Sequence, residues 1–209
     1  MTKLPEGFPP GNLNQKRNES MSYPQKTIAE CAEIISGLVE QKDTGTTSHL
    51  YEAVLPSQIT PAGFIPEYGQ IQRIPTSYMP FLNIGDVIIK RLNPDCAVVF
   101  ENKEVQALPS ANIFVIRPLH GILNSYYLAF ILESSKALNR ISQRSGIGTA
   151  VSAVTAIQIK NCEIPLPPLE QQRKLGALWK CAKERNNLLQ KLIAENDRLL
   201  RSISEKLYQ

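Results

Sequence analysis

Asp86, Glu101 and Lys103 have the composition of a metal-dependent nuclease triad, with two carboxylates to hold Mg²⁺ and a lysine near the attacked phosphate. Their spacing is permissive. The plainer reading makes Asp86 a turn residue and the other two surface charges of a hairpin. Gly146-Ile147-Gly148 invites a nucleotide-binding loop, yet it follows a predicted helix instead of a strand and lacks the third glycine of the dinucleotide fingerprint. As a turn, it could still offer N–H groups to a phosphate. There is no Gly-Lys-Ser/Thr loop and no G-x-S-x-G elbow, and His49 and His120 are the only histidines. Cys31, Cys96, Cys162 and Cys181 are scattered without C-x-x-C spacing, which points to reduced structural thiols rather than zinc or disulfides. The sequence therefore assigns no catalytic residue, no metal ligand and no cofactor to this chain.

DNA contact is better supplied. Arg73 with Gln70 and Gln72, Lys90 with Arg91, and Arg140 with Arg144 form three basic or amide clusters at predicted strand or helix ends. Ser110, Asn112, Ser145 and Thr149 add polar groups in nearby turns. Arg and Gln can make bidentate bonds to guanine and adenine edges in the major groove. Each cluster taken singly also reads as solvated surface. The net charge of +4 is unevenly divided. Glu170 to Gln209 holds nine Lys or Arg against five Asp or Glu, Thr27 to Leu169 holds ten against twelve, and Met1 to Lys26 four against two. A body of that balance is no general polyanion binder; DNA binding by it is expected to use a local basic patch and shape, weakly alone and with more affinity once paired with a partner.

The elements that must position these groups follow from local patterns. The 209 residues suit one well-packed domain, or a domain with an appendage. No apolar run reaches the roughly 20 residues of a membrane span, so a cytoplasmic protein without membrane contact is expected. Residues 1–26 read as a flexible arm, in which Met21 is an alternative start. Thr27 to Gly37 is compatible with a helical turn followed by a strand. Leu50 to Leu55 reads as a strand, and prolines and glycines break up the segment from Pro56 to Gly69. Asn83 to Asp86 is a turn leading into Val87-Ile88-Ile89, with Ala97 to Phe100 as the returning strand of a hairpin. Ile113 to Pro118 is a further buried strand, and from Asn124 or Ser125 a capped helix runs to about Ile141. Short, closely spaced strands predict an α+β domain over 27–163 with a twisted, partly closed sheet and flanking helices.

Residues 164–209 are an extended, proline-rich lead-in followed by one long helix, with Pro168 suited to its first turn. Written in heptads, Leu175, Ala182, Leu189, Asn196 and Ile203 share one position, and Leu178, Arg185, Leu192, Leu199 and Lys206 the position three later. Trp179, Ile193, Leu200 and Leu207 widen the stripe. A domain of this size cannot cover such a stripe along a helix about 60 Å long, so a coiled coil is expected. Asn196 is placed to fix its register.

Ile28 to Gly37, Gly85-Asp86-Val87-Ile88-Ile89, Ile113 to Pro118 with the Tyr126-Tyr127-Leu128 helix, the Gly148-Thr149 turn and Ile164-Pro165-Leu166-Pro167-Pro168-Leu169-Glu170-Gln171-Gln172 occur in that order. Together they resemble the specificity subunit of type I restriction–modification enzymes, over about Thr27 to Gln209. The resemblance implies a target recognition domain that reads a few base pairs of double-stranded DNA, joined to a helical spacer bound by methyltransferase subunits. S-adenosylmethionine, ATP and Mg²⁺ are expected only on those partner subunits. Full-length members carry two recognition domains and two spacers, and this chain carries one of each. A second copy is then the simplest replacement for the other half, pairing through Leu175, Leu178, Ala182, Leu189, Leu192, Asn196, Leu199 and Ile203 with two-fold symmetry. A coiled-coil adaptor with a protein-binding body is the competing reading.

Overall fold

The computed structural model describes residues 23–41, 48–134, 137, 141 and 153–208. The body begins with β1 (Gln25–Thr27), a one-turn helix α1 (Ile28–Cys31) and β2 (Ala32–Ser36). Glu30 reaches back to the N-cap of α1, its carboxylate accepting from the Thr27 backbone N–H at 2.8 Å and from the Thr27 hydroxyl at 2.9 Å. Those donors hold the Glu30 carboxyl below its ordinary value. The helical turn followed by a strand is thus present. The expected arm does not extend to Lys26, because Gln25 to Thr27 pair with β11 (Glu163–Pro165) at the far end of the body.

Next come β3 (His49–Val54), the short β4 (Ile59–Thr60) and β5 (Gly63–Phe64), and β6 (Gly69–Arg73). The hairpin of β7 (Val87–Lys90) and β8 (Ala97–Val99) follows, then β9 (Leu108–Pro109) and β10 (Ile113–Pro118). Among the described residues these strands form several small unclosed sheets. The largest is antiparallel in the order β2-β10-β7-β8, and beside it lies β6-β3-β9. The larger sheet is covered on both faces. Val87, Ile89, Ala97, Phe114 and Ile116 enter one core, while Ile88, Val98, Ile113 and Val115 enter the other. Double burial explains why its strands read as continuous β-branched runs without alternation.

Helix α2 (Ser125–Leu132) closes the first core with Tyr127, Leu128, Ala129 and Leu132. Asn124 caps it, its side chain accepting from the Tyr127 N–H at 3.0 Å. The helix ends at Leu132 instead of continuing toward Ile141. There the Ser134 hydroxyl bonds back to the Ile131 carbonyl at 2.6 Å, and the Ser134 N–H bonds to the same oxygen at 3.0 Å. After α3 (Ala156–Lys160) and β11, the 39-residue helix α4 (Leu169–Leu207) leaves the body. Pro168 stands one position ahead of the expected first turn, as the N-cap with extended ψ. No described helix is long and apolar enough to cross a membrane.

Candidate nucleic-acid interface

The connector from Ser36 to Gln41 draws the ends of the two main sheets to one edge. The Gly37 N–H donates to the Ile113 carbonyl at 3.0 Å, the Leu38 N–H to Pro109 at 2.8 Å and the Gln41 N–H to Gln72 at 3.0 Å. A Cβ on Gly37 would collide with the Ser110 carbonyl oxygen, so only glycine lets the connector pass there. At the same edge the Arg91 N–H donates to the Asn112 carbonyl at 2.8 Å, and the Arg91 carbonyl accepts from the Val154 N–H at 2.9 Å. Ala153, where the described chain resumes, bridges Leu92. Gln72, Arg73, Lys90, Arg91, Ser110 and Asn112, scattered in sequence, are thereby linked through a few backbone contacts.

They do not all present themselves in the same way. Arg91 and Asn112 are exposed, and the Arg91 guanidinium lies 5.9 Å from the Phe114 ring centroid, with no carboxylate partner among the described residues. Lys90 pairs with Asp95 at 2.7 Å. Burial raises the Asp95 carboxyl, but the Lys90 ammonium and the Cys96 thiol outweigh it and hold Asp95 below its ordinary value. On β6, Gln70 and Gln72 share a face with Glu52 and Leu50 of β3, whereas Arg73 shares the opposite face with Ile71, Tyr51 and His49. The expected grouping of Arg73 with the two glutamines is corrected by this strand alternation. Arg73 instead donates from Nη1 to the Val39 carbonyl at 2.6 Å, and Gln72 donates to the Ser48 hydroxyl at 2.6 Å. Ser110 is buried with its Oγ enclosed, so its hydroxyl is not offered to a groove; this too corrects the sequence reading. Arg140, Arg144, Ser145, Thr149 and the glycine turn at 146–148 lie outside the described residues.

The nuclease constellation is dispersed. Asp86 is 1% exposed and receives both Arg117 Nε and Nη2 at 2.8 Å, while the Asn83 N–H donates to it at 2.8 Å. Arg117 Nη2 also reaches the Phe81 carbonyl at 2.9 Å. Both oxygens of the Asp86 carboxylate are thus engaged, which suits a structural anchor. Glu101 faces elsewhere, accepting from Lys180 Nζ at 2.6 Å and from the Tyr126 hydroxyl. Against burial, which raises it, these donors hold the Glu101 carboxyl below its ordinary range, and the same contacts raise Lys180. No cluster of three or more potential metal ligands occurs among the described residues. Cys31, Cys96 and Cys162 are buried, and burial pushes the Cys96 thiol up to about 12, whereas Cys181 is exposed on α4.

The Glu101 contact belongs to the seat of the long helix. Gln172 is 1% exposed and Gly176 is buried, the Trp179 indole N–H donates to Glu133 at 3.1 Å, and Lys183 pairs with Glu133 at 2.7 Å. Tyr23 donates its hydroxyl to Gln171 at 2.7 Å, and the Leu166 N–H donates to the Pro24 carbonyl at 2.9 Å, tying the first described residues to the same junction. Trp179, expected to widen the apolar stripe, packs on the first core of the body instead. The stripe points away. Leu178, Leu189, Leu192 and Leu199 are each at least 50% exposed, Leu175 and Ile203 somewhat less, Asn196 is exposed and Ala182 half-buried. At 100° per residue the docked side and the stripe lie roughly 140° apart around the helix. A periodic reading of leucines alone misses the docked side, since its signal is the i, i+4, i+7 and i+11 series of Gln172, Gly176, Trp179 and Lys183.

The molecule is a mixed α+β body with a leucine-striped helix projecting from it. Residues 72–195 match the sequence model of the type I restriction modification DNA specificity domain, and the chain belongs to that family. A putative type I restriction enzyme MjaX specificity subunit of Methanocaldococcus jannaschii is 28% identical over 101 residues, 46% of this chain and 24% of that protein. The crystal structure of the HsdS subunit from Thermoanaerobacter tengcongensis has the same fold, with a TM-score of 0.62 at 23% identity over 88% of this chain and 48% of that one. An S subunit of a type I restriction-modification system from M. genitalium aligns with a TM-score of 0.56 at 16% identity, over 92% of this chain and 47% of that one. This chain spans about half the length of those solved subunits and about a quarter of the curated relative.

Proposed function

We propose that this chain is a noncatalytic DNA-recognition subunit that directs a partner methyltransferase to a bipartite site, acting as a two-fold pair of copies. Its body selects bases along the edge formed by Gln70, Gln72, Lys90, Arg91 and Asn112, and its helix carries the second copy. The observation that supports the pairing is the distal part of α4, where Leu188, Leu192, Ile193, Leu199, Leu200 and Leu207 lie bare on a helix already seated on the body by its other side. Helical stability in proteins comes mostly from packing of an amphipathic face, and burying each leucine contributes roughly 1.5–3 kcal/mol. A second copy supplies the same stripe in the antiparallel direction, which makes the contact self-complementary. S-adenosylmethionine, and any ATP or Mg²⁺, reside on the partner subunits.

Methylation mapping tests the proposal. With the partner methyltransferase present, the modified motif should appear when this chain is supplied and vanish when it is withheld. A motif indifferent to the chain would favour the adaptor reading.

A further inference from the structure

Gln172 is a buried amide whose hydrogen bonds all go to backbone groups. Its Oε1 accepts from the Asn124 N–H at 2.9 Å, and its Nε2 donates to the carbonyls of Ile122 at 3.0 Å and Pro167 at 2.9 Å. One side chain thus pins the start of α4 to the cap of α2 and to the proline lead-in. One turn on, Gly176 brings α4 against the same place. A Cβ there would stand 2.7 Å from Asn124 Oδ1, 2.8 Å from the Tyr127 nitrogen and 2.9 Å from Tyr126 Cβ, where ordinary contact begins at 3.4 Å. Asn124 Oδ1 cannot swing aside without uncapping α2, because it already accepts from the Tyr127 N–H at 3.0 Å. The other two close atoms belong to α2 itself, so relief must come from the long helix.

We propose that Gln172 and Gly176 are positioning residues that fix the angle between the body and the spacer helix, and through it the distance between two half-sites on DNA. The inference rests on the paired reading above. Gly176 lies about 6 Å along the axis from the Gln172 pin, so an outward shift of about 0.7 Å tilts the helix by about 7°. Over the roughly 30 Å from Gly176 to Asn196 that tilt displaces the helix by about 3.5 Å, and two-fold symmetry doubles the change between bodies. The sum exceeds the ~3.4 Å rise of one base pair.

The test uses the full chain with its partner methyltransferase on a DNA library in which the two half-sites stand at every separation. Wild type should methylate best at one separation. Gly176→Ala should move that optimum by about one base pair or more with the half-site sequence unchanged. Gln172→Asn, one methylene too short to hold all three partners, should widen the range of accepted separations. An optimum unmoved and unwidened in both variants, or in whichever of the two retains the wild-type circular dichroism, overturns the inference. A wild-type chain with no preferred separation overturns the paired reading as well, so the two failures are distinguishable.

Discussion

The two halves of α4 are one continuous helix with opposite chemistries. From Leu169 to about Asn187 it meets the body through a buried amide, a glycine, an indole and two lysines that find carboxylates. From Leu188 onward nearly every residue is exposed, although leucine and isoleucine are frequent there. The apolar content therefore follows a surface that the body leaves uncovered, while the docked half relies on polar contacts that fix geometry. A hydrophobic stripe tolerates sliding, whereas a satisfied buried amide does not. In the proposed pair, the seat determines direction and the stripe supplies association.

Changes in the two halves should accordingly separate. The largest effect is expected from Leu189→Glu with Leu192→Glu, which places four carboxylates in a two-fold contact. Sedimentation should show dimers converted to monomers at micromolar concentration, with the dissociation constant raised more than about a hundredfold, while the melting of the body stays at its wild-type value. Next, Trp179→Ala should destabilise the body and helix seat by roughly 2–3 kcal/mol, read from denaturant unfolding, because it removes packing from the first core and a hydrogen bond to Glu133. Lys183→Met should cost about 1 kcal/mol, since Glu133 keeps its bond from Trp179. Neither of these changes should dissociate the pair.

The smallest effect concerns acid. Glu101 is held below its ordinary carboxyl value, so its contribution to the seat is present at neutral pH and is lost as the pH falls through its folded value. The difference in melting temperature between wild type and Glu101→Gln should therefore be largest near neutrality and shrink on acidification. A difference that grows on acidification would contradict that sign.

Much of the fold was legible because it is local. The Val87-Ile88-Ile89 hairpin, the Ile113–Pro118 strand, the Asn124 cap and the long helix each carry their signal within a few residues. What stayed hidden depends on partners far away in sequence. Gln25 pairs with Pro165, Arg117 claims Asp86, and Glu101 meets Lys180 across the junction. The candidate interface was legible in part. Residue type pointed to Arg91 and Asn112, which the fold leaves exposed, but could not show that Arg73 turns to the opposite face of β6 or that Ser110 is buried. Facing is a property of register, and register is set by β3 and the connector rather than by the cluster itself.

The symmetry of the methylated motif tests the central claim most directly. Sequencing of DNA modified in the presence of this chain as the only specificity subunit should reveal two identical half-sites in inverted orientation at a fixed separation. A motif with two different halves, or a single undivided one, would contradict a pair of identical copies joined through the long helix.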